Sequence, residues 1–156
     1  MNYYVDLQKI SSDLMPLSDN ELISVVRLSL QEYMSAAEIT LRLVDLEEIT
    51  NLNGKYRQQN KATNVLAFSA TSPPDVKLLV PFLGDVVICP AVLQEESAAL
   101  AKPLRDHWTH IIIHGILHLL GYDHIKKTDS KIMQQQEVNL LKKLGIGNPY
   151  SFSNSR

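Results

Sequence analysis

An eleven-residue segment, H-G-I-L-H-L-L-G-Y-D-H from His114 to His124, constrains this chain more than any other feature. His114 and His118 are four residues apart, so a helix places both side chains on one face with Cβ atoms about 6 Å apart. Gly121 offers the left-handed turn that ends a helix, and the reversed chain can bring His124 to the same ion. We therefore predict a metal ion bound by His114, His118 and His124.

This ligand set also predicts a kind of chemistry. Three neutral nitrogen ligands without a fourth protein ligand are typical of catalytic zinc sites, in which water takes the open position. Zinc peptidases of the H-E-x-x-H type carry a glutamate directly after the first histidine, whereas this chain has Gly115 there. The sequence therefore predicts a metal-dependent hydrolase without the peptidase base. Gly115 is interpreted as a point of close approach by another backbone or by substrate.

The other histidines belong to the same stripe. All five histidines of the chain lie between His107 and His124, and four of them fall within about 80° on a helical wheel. A purely structural interpretation would have to bury several polar rings and give each a partner. His107 and His110 precede the predicted ligands by one to two turns, so we expect them to line the cleft or to hydrogen-bond within it.

Length and composition indicate a single globular domain. The chain has 156 residues, of which 45% are hydrophobic and 21% charged, and we place the domain at residues 1–147 with a loose tail at 148–156. The net charge of −2 indicates that the chain as a whole has no positive potential to attract nucleic acid, although a local basic patch would be enough to bind it. The lone Cys89 permits no disulfide within the chain, and no signal peptide or membrane segment is evident. We expect a cytoplasmic protein.

The order of predicted elements favours an α+β fold, with helices packed on a small sheet, because strands cluster early and helices late. Alternating apolar residues indicate the strands, and a Ser18-x-x-Glu21 capping box and Asp45 mark two helix starts. Strands are predicted at 3–10, 37–44, 63–69 and 83–89, and helices at 18–34, 46–58, 91–101, 103–120 and 128–145.

The histidine segment with its preceding residues, H-W-T-H-I-I-I-H-G-I-L-H-L-L-G-Y-D-H, resembles the signature of the YbeY family of bacterial endoribonucleases. Further blocks follow in the family's order: Leu52–Arg57, Thr63–Phe68, Leu83–Cys89 and Leu144–Tyr150. The resemblance covers nearly the whole chain. It implies one α+β domain with a small mixed sheet and a metal in a cleft beside the histidine helix. It also implies metal-dependent cleavage of single-stranded RNA.

The resemblance further implies a biological setting and site residues. The setting is ribosomal RNA maturation, notably at the 3′ end of 16S rRNA, and ribosome quality control, with ribosomal RNA and ribosomal particles as partners. The metal ligands would be His114, His118 and His124, with zinc as the metal, and Arg57 would join His114 as a catalytic residue. The family's commoner P-T-D-V-L-S-F block reads differently here, and the neutral Asn64 leaves the proton acceptor unassigned.

Other polar residues of the chain can be interpreted as well. Asp123 could orient a histidine ring or simply stabilise a turn, and we interpret Asp85 as structural. Two rival functions stay open, a metallohydrolase of another substrate such as a peptide and a non-catalytic ribosome-assembly factor with a structural metal. A structural metal would need a fourth protein ligand. Basic residues that could edge an RNA groove are Lys55, Lys61, Lys102, Arg105, Lys126 and Lys127.

Overall fold

A computed structural model describes residues 2–70, 80–122 and 127–150, without the side chains of residues 127 and 128. It confirms the predicted α+β class. Asp123, His124 and Lys126 lie outside the described residues, as does the side chain of Lys127. The elements in chain order are β1 (Asn2–Lys9), α1 (Asp19–Gln31), β2 (Ala36–Leu43), α2 (Leu46–Arg57), β3 (Val65–Ser69), β4 (Phe82–Ile88), α3 (Pro90–Leu100), α4 (Leu104–Leu119) and α5 (Lys127–Lys143).

The sheet is mixed, with its described strands in the order β1-β2-β4-β3. β1, β2 and β4 run parallel, and β3 pairs antiparallel with β4 at one edge. The period of two predicted for β2 is confirmed, because Ile39, Leu41 and Leu43 are fully buried on one face while Thr40 and Arg42 point to the other. The alternation in sequence therefore sets which face receives the main core.

Local sequence signals explain where the helices begin. Ser18 accepts a hydrogen bond from the Glu21 amide, and the Glu21 side chain accepts one from the Ser18 amide, so the predicted capping box is confirmed. Asp45 caps α2 by accepting from the Glu48 amide. Pro90 occupies the first turn of α3, where its missing N–H costs nothing. The strand predicted to reach Cys89 therefore ends at Ile88.

Two helices end earlier in the chain than the sequence predicts. α1 ends at Gln31 and not near Met34, because the amides of Tyr33 and Met34 both donate to the Leu30 carbonyl and close the last turn. α5 ends at Lys143 rather than at Gly145, which has a φ of 75° and so reverses the chain as a left-handed C-terminal residue.

The two faces of the sheet are covered differently. α1, α4 and α5 contribute to the main core with one face of β2 and β4. α2 covers part of the other face through a smaller cluster that contains Ile49, Leu66, Val87 and Cys89. α4 contacts α1, α3, α5, β3 and β4, and most of its residues are buried. It is therefore the central helix of the fold, which holds its histidine stripe in a fixed position.

Candidate metal centre and active-site cleft

One side of α4 directs its histidines toward α3, α5 and the segment after α5. The ring centroids of His107 and His110 are 6.5 Å apart, those of His110 and His114 are 6.4 Å apart, and those of His114 and His118 are 4.8 Å apart. A cavity of about 520 Å³ opens along this stripe. The polar side chains among its lining residues belong to Asn64, Glu96, Lys102, His107, His110, His114 and Tyr150.

Gly115 allows α4 to lie close to the sheet. A Cβ atom at this position would be 2.7 Å from Cγ1 of Val86 and 3.2 Å from Cγ2 of Val65, well inside ordinary contact distance. The predicted close approach is therefore made by the sheet, and its partners are side chains rather than backbone or substrate. This approach fixes the distance between α4, which carries the neighbouring His114, and strands β3 and β4.

Gly121 reverses the chain directly after α4, as predicted. It has a φ of 102°, a conformation that glycine adopts without the Cβ clash of other residues. The amide of Tyr122 donates to the Leu117 carbonyl and that of Gly121 to the His118 carbonyl, so the helix closes with the bonding pattern of a Schellman turn. The described chain stops at Tyr122, just after this reversal.

A buried carboxylate from α5 holds two of the histidines. Glu137 is fully buried, with Oε2 2.8 Å from Nδ1 of His114 and Oε1 2.5 Å from Nε2 of His110. The hydroxyl of Tyr150 donates a further hydrogen bond to Oε1. Because a carboxylate on Nδ1 keeps the proton there, His114 presents the lone pair of Nε2 for ligation.

The electrostatics of this cluster favour an ionised carboxylate. Burial alone would raise the pKa of Glu137, but the hydrogen bonds from His110 and His114, with their electrostatic attraction, outweigh it and lower the pKa to about 2. Burial, followed by the charge and hydrogen bond of Glu137, raises the pKa of Tyr150 far above its ordinary value. Tyr150 therefore stays a neutral donor to a carboxylate that keeps its negative charge.

His114 and His118 fit one metal ion. Two imidazoles that share a tetrahedral ion at about 2.0–2.1 Å have ring centroids about 5 Å apart, and the observed separation is 4.8 Å. The hydrogen bond from His114 to Glu137 is the ring-orienting contact that metal-bound histidines require. Within the described ranges, no three His, Cys, Asp or Glu side chains form a metal-binding group. The third predicted ligand, His124, lies outside those ranges, so the three-histidine set stays a prediction.

A second carboxylate reaches the cleft from α3. Glu96 Oε1 is 2.9 Å from Nε2 of His107, and Nδ2 of Asn64 lies 3.3 Å from each carboxylate oxygen. His107 is almost completely buried, and its Nδ1 has no hydrogen-bond partner in the described structure. His107 and His110 thus line the cleft and hydrogen-bond to carboxylates, as expected from their place on the stripe.

Other predicted residues lie away from the histidines. Arg57 is the exposed last residue of α2, on the opposite side of the sheet from α4, and is not among the described residues that line the cleft. Asp85 lies on β4 beside Arg42 and Tyr56, in a different pocket. The structure therefore does not bring Arg57 to the histidine stripe, and its catalytic role stays a prediction.

The predicted basic residues whose side chains the structure describes do not all lie at the cleft. Lys102 lines the cleft, and its Nζ donates to the Pro149 carbonyl. Arg105 instead pairs with Glu21 and donates to the Pro16 carbonyl, because its position on α4 faces α1. The ammonium of Lys55 lies 5.3 Å from the ring centroid of Tyr56, at the end of α2.

Sequence reasoning missed Glu96, Glu137 and Tyr150. Glu137 shares the buried side of α5 with Met133, Leu140 and Leu141, and a lone carboxylate on an apolar stripe is a signal of a buried partner. Tyr150 falls within the predicted tail, yet its hydroxyl contacts Glu137 and lies 3.1 Å from Nε2 of His110. No sequence pattern connects Glu96 to His107.

The sequence comparisons with known proteins give the same family, and a structural comparison supports the fold. The family model described as Endoribonuclease YbeY matches residues 9–145. Proteins named Endoribonuclease YbeY from the Corby, Lens and Paris strains of Legionella pneumophila are each 52% identical over 150 residues, covering 96% of this chain and 95% of theirs. The solution structure of a Thermotoga maritima protein matches with a TM-score of 0.61 and 24% identity, covering 91% of this chain and 88% of that one. This structural likeness supports the fold.

The helices give one further result. Among the described residues, none of the helices combines the length and the apolar character needed to cross a membrane.

Proposed function

The chain belongs to the YbeY endoribonuclease family, and from that premise we propose that it is a metal-dependent endoribonuclease acting on single-stranded RNA. We assign its role to ribosomal RNA processing, at the 3′ end of 16S rRNA, and to ribosome quality control on ribosomal particles. The observation that carries the metal-dependent part is the Glu137–His114 hydrogen bond beside His118. It prepares His114 for ligation through Nε2.

The metal would be held by His114, His118 and His124, and zinc suits three imidazole ligands. When bound, such an ion supplies Lewis acidity to a phosphoryl oxygen and lowers the pKa of a coordinated water. The chain's own residues do the rest. Glu137 keeps the His114 ring in one orientation, and the buried stripe of α4 keeps His114 and His118 at a fixed separation.

Substrate binding would depend on local positive charge, because the chain as a whole carries a net charge of −2. Lys102 lies in the cleft and can attract a phosphate. Arg57 is exposed at the end of α2, where its guanidinium is accessible to a phosphate through two parallel N–H bonds.

A cleavage assay with two substrates tests the function. Zinc-loaded protein and a His114→Ala variant are incubated with single-stranded RNA and with an unstructured peptide. We expect RNA cleavage by the zinc-loaded protein only, together with loss of bound zinc in the variant. Peptide cleavage would favour the metallohydrolase alternative.

Metal removal separates catalysis from a structural role for the metal. The protein is stripped with a chelator, and its circular dichroism and RNA cleavage are followed before and after zinc is restored. We expect the fold to persist while cleavage disappears and returns with zinc, since an open site contributes less to folding than a closed one. Unfolding on metal removal would support the assembly-factor alternative instead.

A further inference from the structure

The cleft contains a carboxylate that has no role in holding the histidine ligands. Glu96 lines the same cavity as His110 and His114, and about 34% of its side chain is exposed. We propose that Glu96 is the general base that accepts the proton from the nucleophile attacking the RNA phosphate. This inference rests on the proposed function and names the residue that removes the proton.

The hydrogen bonds of Glu96 hold it in place without using all its lone pairs. Asn64 donates from one amide nitrogen at 3.3 Å to both oxygens, and His107 approaches Oε1 at 2.9 Å. A carboxylate has about four lone-pair positions, so acceptor capacity is left on the side that faces the cavity. A base must combine a fixed position with access to the substrate, and Glu96 has both.

The burial of His107 shows which partner carries the proton. If Glu96 were protonated and donated to Nε2, or if His107 were charged, the Nδ1 proton of His107 would be buried. Nδ1 has no partner in the described structure, and a buried N–H without an acceptor costs about 1–3 kcal/mol or more. The neutral ring with its proton on Nε2 leaves a lone pair rather than an N–H unpartnered at Nδ1, and it gives the Glu96 carboxylate a donor at 2.9 Å, so we take His107 as the donor and Glu96 as the acceptor.

Glu137, the carboxylate that holds His110 and His114, has all its hydrogen bonds inside the cluster. Glu137 is fully buried, its Oε1 accepts from His110 and Tyr150, and its Oε2 accepts from His114. It has neither the exposure nor the free direction to reach a substrate. Asn64 is neutral, as the sequence already showed. Among the described residues that line this cavity, Glu96 is the one carboxylate.

The step balances without a further reactant. Glu96 takes the proton of the attacking hydroxyl, whose oxygen forms a bond to phosphorus while the bond from phosphorus to the leaving oxygen breaks. The leaving oxygen receives a proton from water, and the hydroxide that remains takes the proton from Glu96, which restores the carboxylate. Ionisable groups that face Glu96 across the cavity are His107, His110 and His114 of α4, Lys102 from the loop before α4 and Tyr150.

The first test replaces Glu96 by its isostere. Glu96→Gln keeps the shape and can still accept from His107, but it cannot accept a proton from the nucleophile. We expect kcat for single-stranded RNA to fall by about 10²–10⁴-fold, with bound zinc and RNA affinity unchanged. The matched control is Glu95→Gln, one residue away and exposed on the same helix, which should cleave at the wild-type rate.

A second variant keeps the Glu96 carboxylate and changes its pKa. Asn64→Asp places a second carboxylate against Glu96, and two like charges in contact raise one of the two pKa values. The acidic limb of kcat/KM against pH should therefore move to higher pH, while zinc content is measured at each pH to exclude metal loss. A residue with only a structural role would change the melting temperature and leave this limb in place.

The outcomes are distinguishable. An active wild type with an equally active Glu96→Gln variant would overturn this inference and leave the proposed function intact, as would an Asn64→Asp profile with an unmoved limb. A wild type that binds zinc and does not cleave RNA would overturn both. If Glu96→Gln does not fold, the limb of the Asn64→Asp variant decides the inference by itself.

Discussion

Glu137 is the residue on which the arrangement of the histidine stripe depends most. It accepts hydrogen bonds from two imidazoles and one phenol while fully buried. A carboxylate in such a place is stable only because each neighbour is a donor. Replacing it therefore affects the protonation of the rings as well as the packing around them.

Glu137→Gln should weaken zinc binding by about 10–100-fold. A glutamine accepts with one atom and donates with the other, so one of the two rings must change tautomer; when this is His114, its Nε2 carries a proton and cannot ligate. Competition titration with a zinc indicator measures the change. Glu95→Gln, at an exposed position of α3, is the control. Unchanged zinc affinity in Glu137→Gln would show that Glu137 does not orient the His114 ring.

Glu137 should also make stability depend on pH in the acidic range. Its pKa falls from 4.5 to about 2 on folding, so its contribution is complete above about pH 4.5 and is lost as pH falls through about 2. The shift corresponds to on the order of 3 kcal/mol. Urea unfolding of metal-free wild type and Glu137→Gln should show a stability difference that shrinks across this window. A constant difference would contradict the assignment.

The sequence predicts that Arg57 contacts phosphate in the transition state, whereas the structure places it exposed at the end of α2, away from the histidines, and substitution decides between the two. Arg57→Ala should lower RNA cleavage by about 10²–10³-fold, as for loss of one preorganised electrostatic donor, with zinc content and melting temperature unchanged. Arg57→Lys should recover part of the rate, because lysine keeps the charge and loses the two-pronged geometry. Steady-state cleavage assays measure both, and a wild-type rate in Arg57→Ala would make Arg57 an ordinary surface residue.

At the scale of elements, the contact of α4 with the sheet positions the helix that carries the histidine stripe. Glycine lowers helix stability in isolation, by about 1 kcal/mol relative to alanine. Gly115 is nevertheless placed in the middle of α4, against Val86 and Val65. The close packing that glycine permits therefore outweighs its low helix propensity at this position. The position directly follows His114 in the chain.

Gly115→Ala should accordingly destabilise the protein by about 1–2 kcal/mol, because overpacking a core costs about 1–3 kcal/mol and exceeds the gain in propensity. Chemical denaturation measures the loss. Gly54→Ala in α2 is the matched control, since the nearest atom to its new Cβ is Oδ1 at the end of the Asn60 side chain, which can move. A Gly115→Ala variant that is more stable than wild type would contradict the packing argument.

At the scale of the whole molecule, the segment after α5 closes the buried cluster. Tyr150 joins Glu137 of α5 and His110 of α4, and Lys102 from the α3–α4 loop donates to the Pro149 carbonyl. Four separate parts of the chain thus meet at one end of the cleft. The residues up to Tyr150 belong structurally to the histidine site, although the sequence predicted a tail from residue 148.

Tyr150→Phe should lower the free energy of unfolding by about 1.5–3 kcal/mol, the range for a hydrogen bond to a charged group, because Oε1 of Glu137 is left with His110 alone. Thermal and chemical unfolding measure the loss. Tyr56→Phe provides the control, since Tyr56 is 57% exposed. Equal stability of Tyr150→Phe and wild type would show that the C-terminal segment does not secure the cluster.

The sequence by itself determined the local features of this protein. The capping box at Ser18, the cap at Asp45, the alternation in β2 and the turn at Gly121 each depend on residues a few positions apart, so their physics is contained in a short stretch of chain. The same holds for His114 and His118, which helical spacing alone places together. The tertiary structure decided the contacts of Glu137, Tyr150 and Glu96, because each joins residues from different elements and depends on how those elements pack.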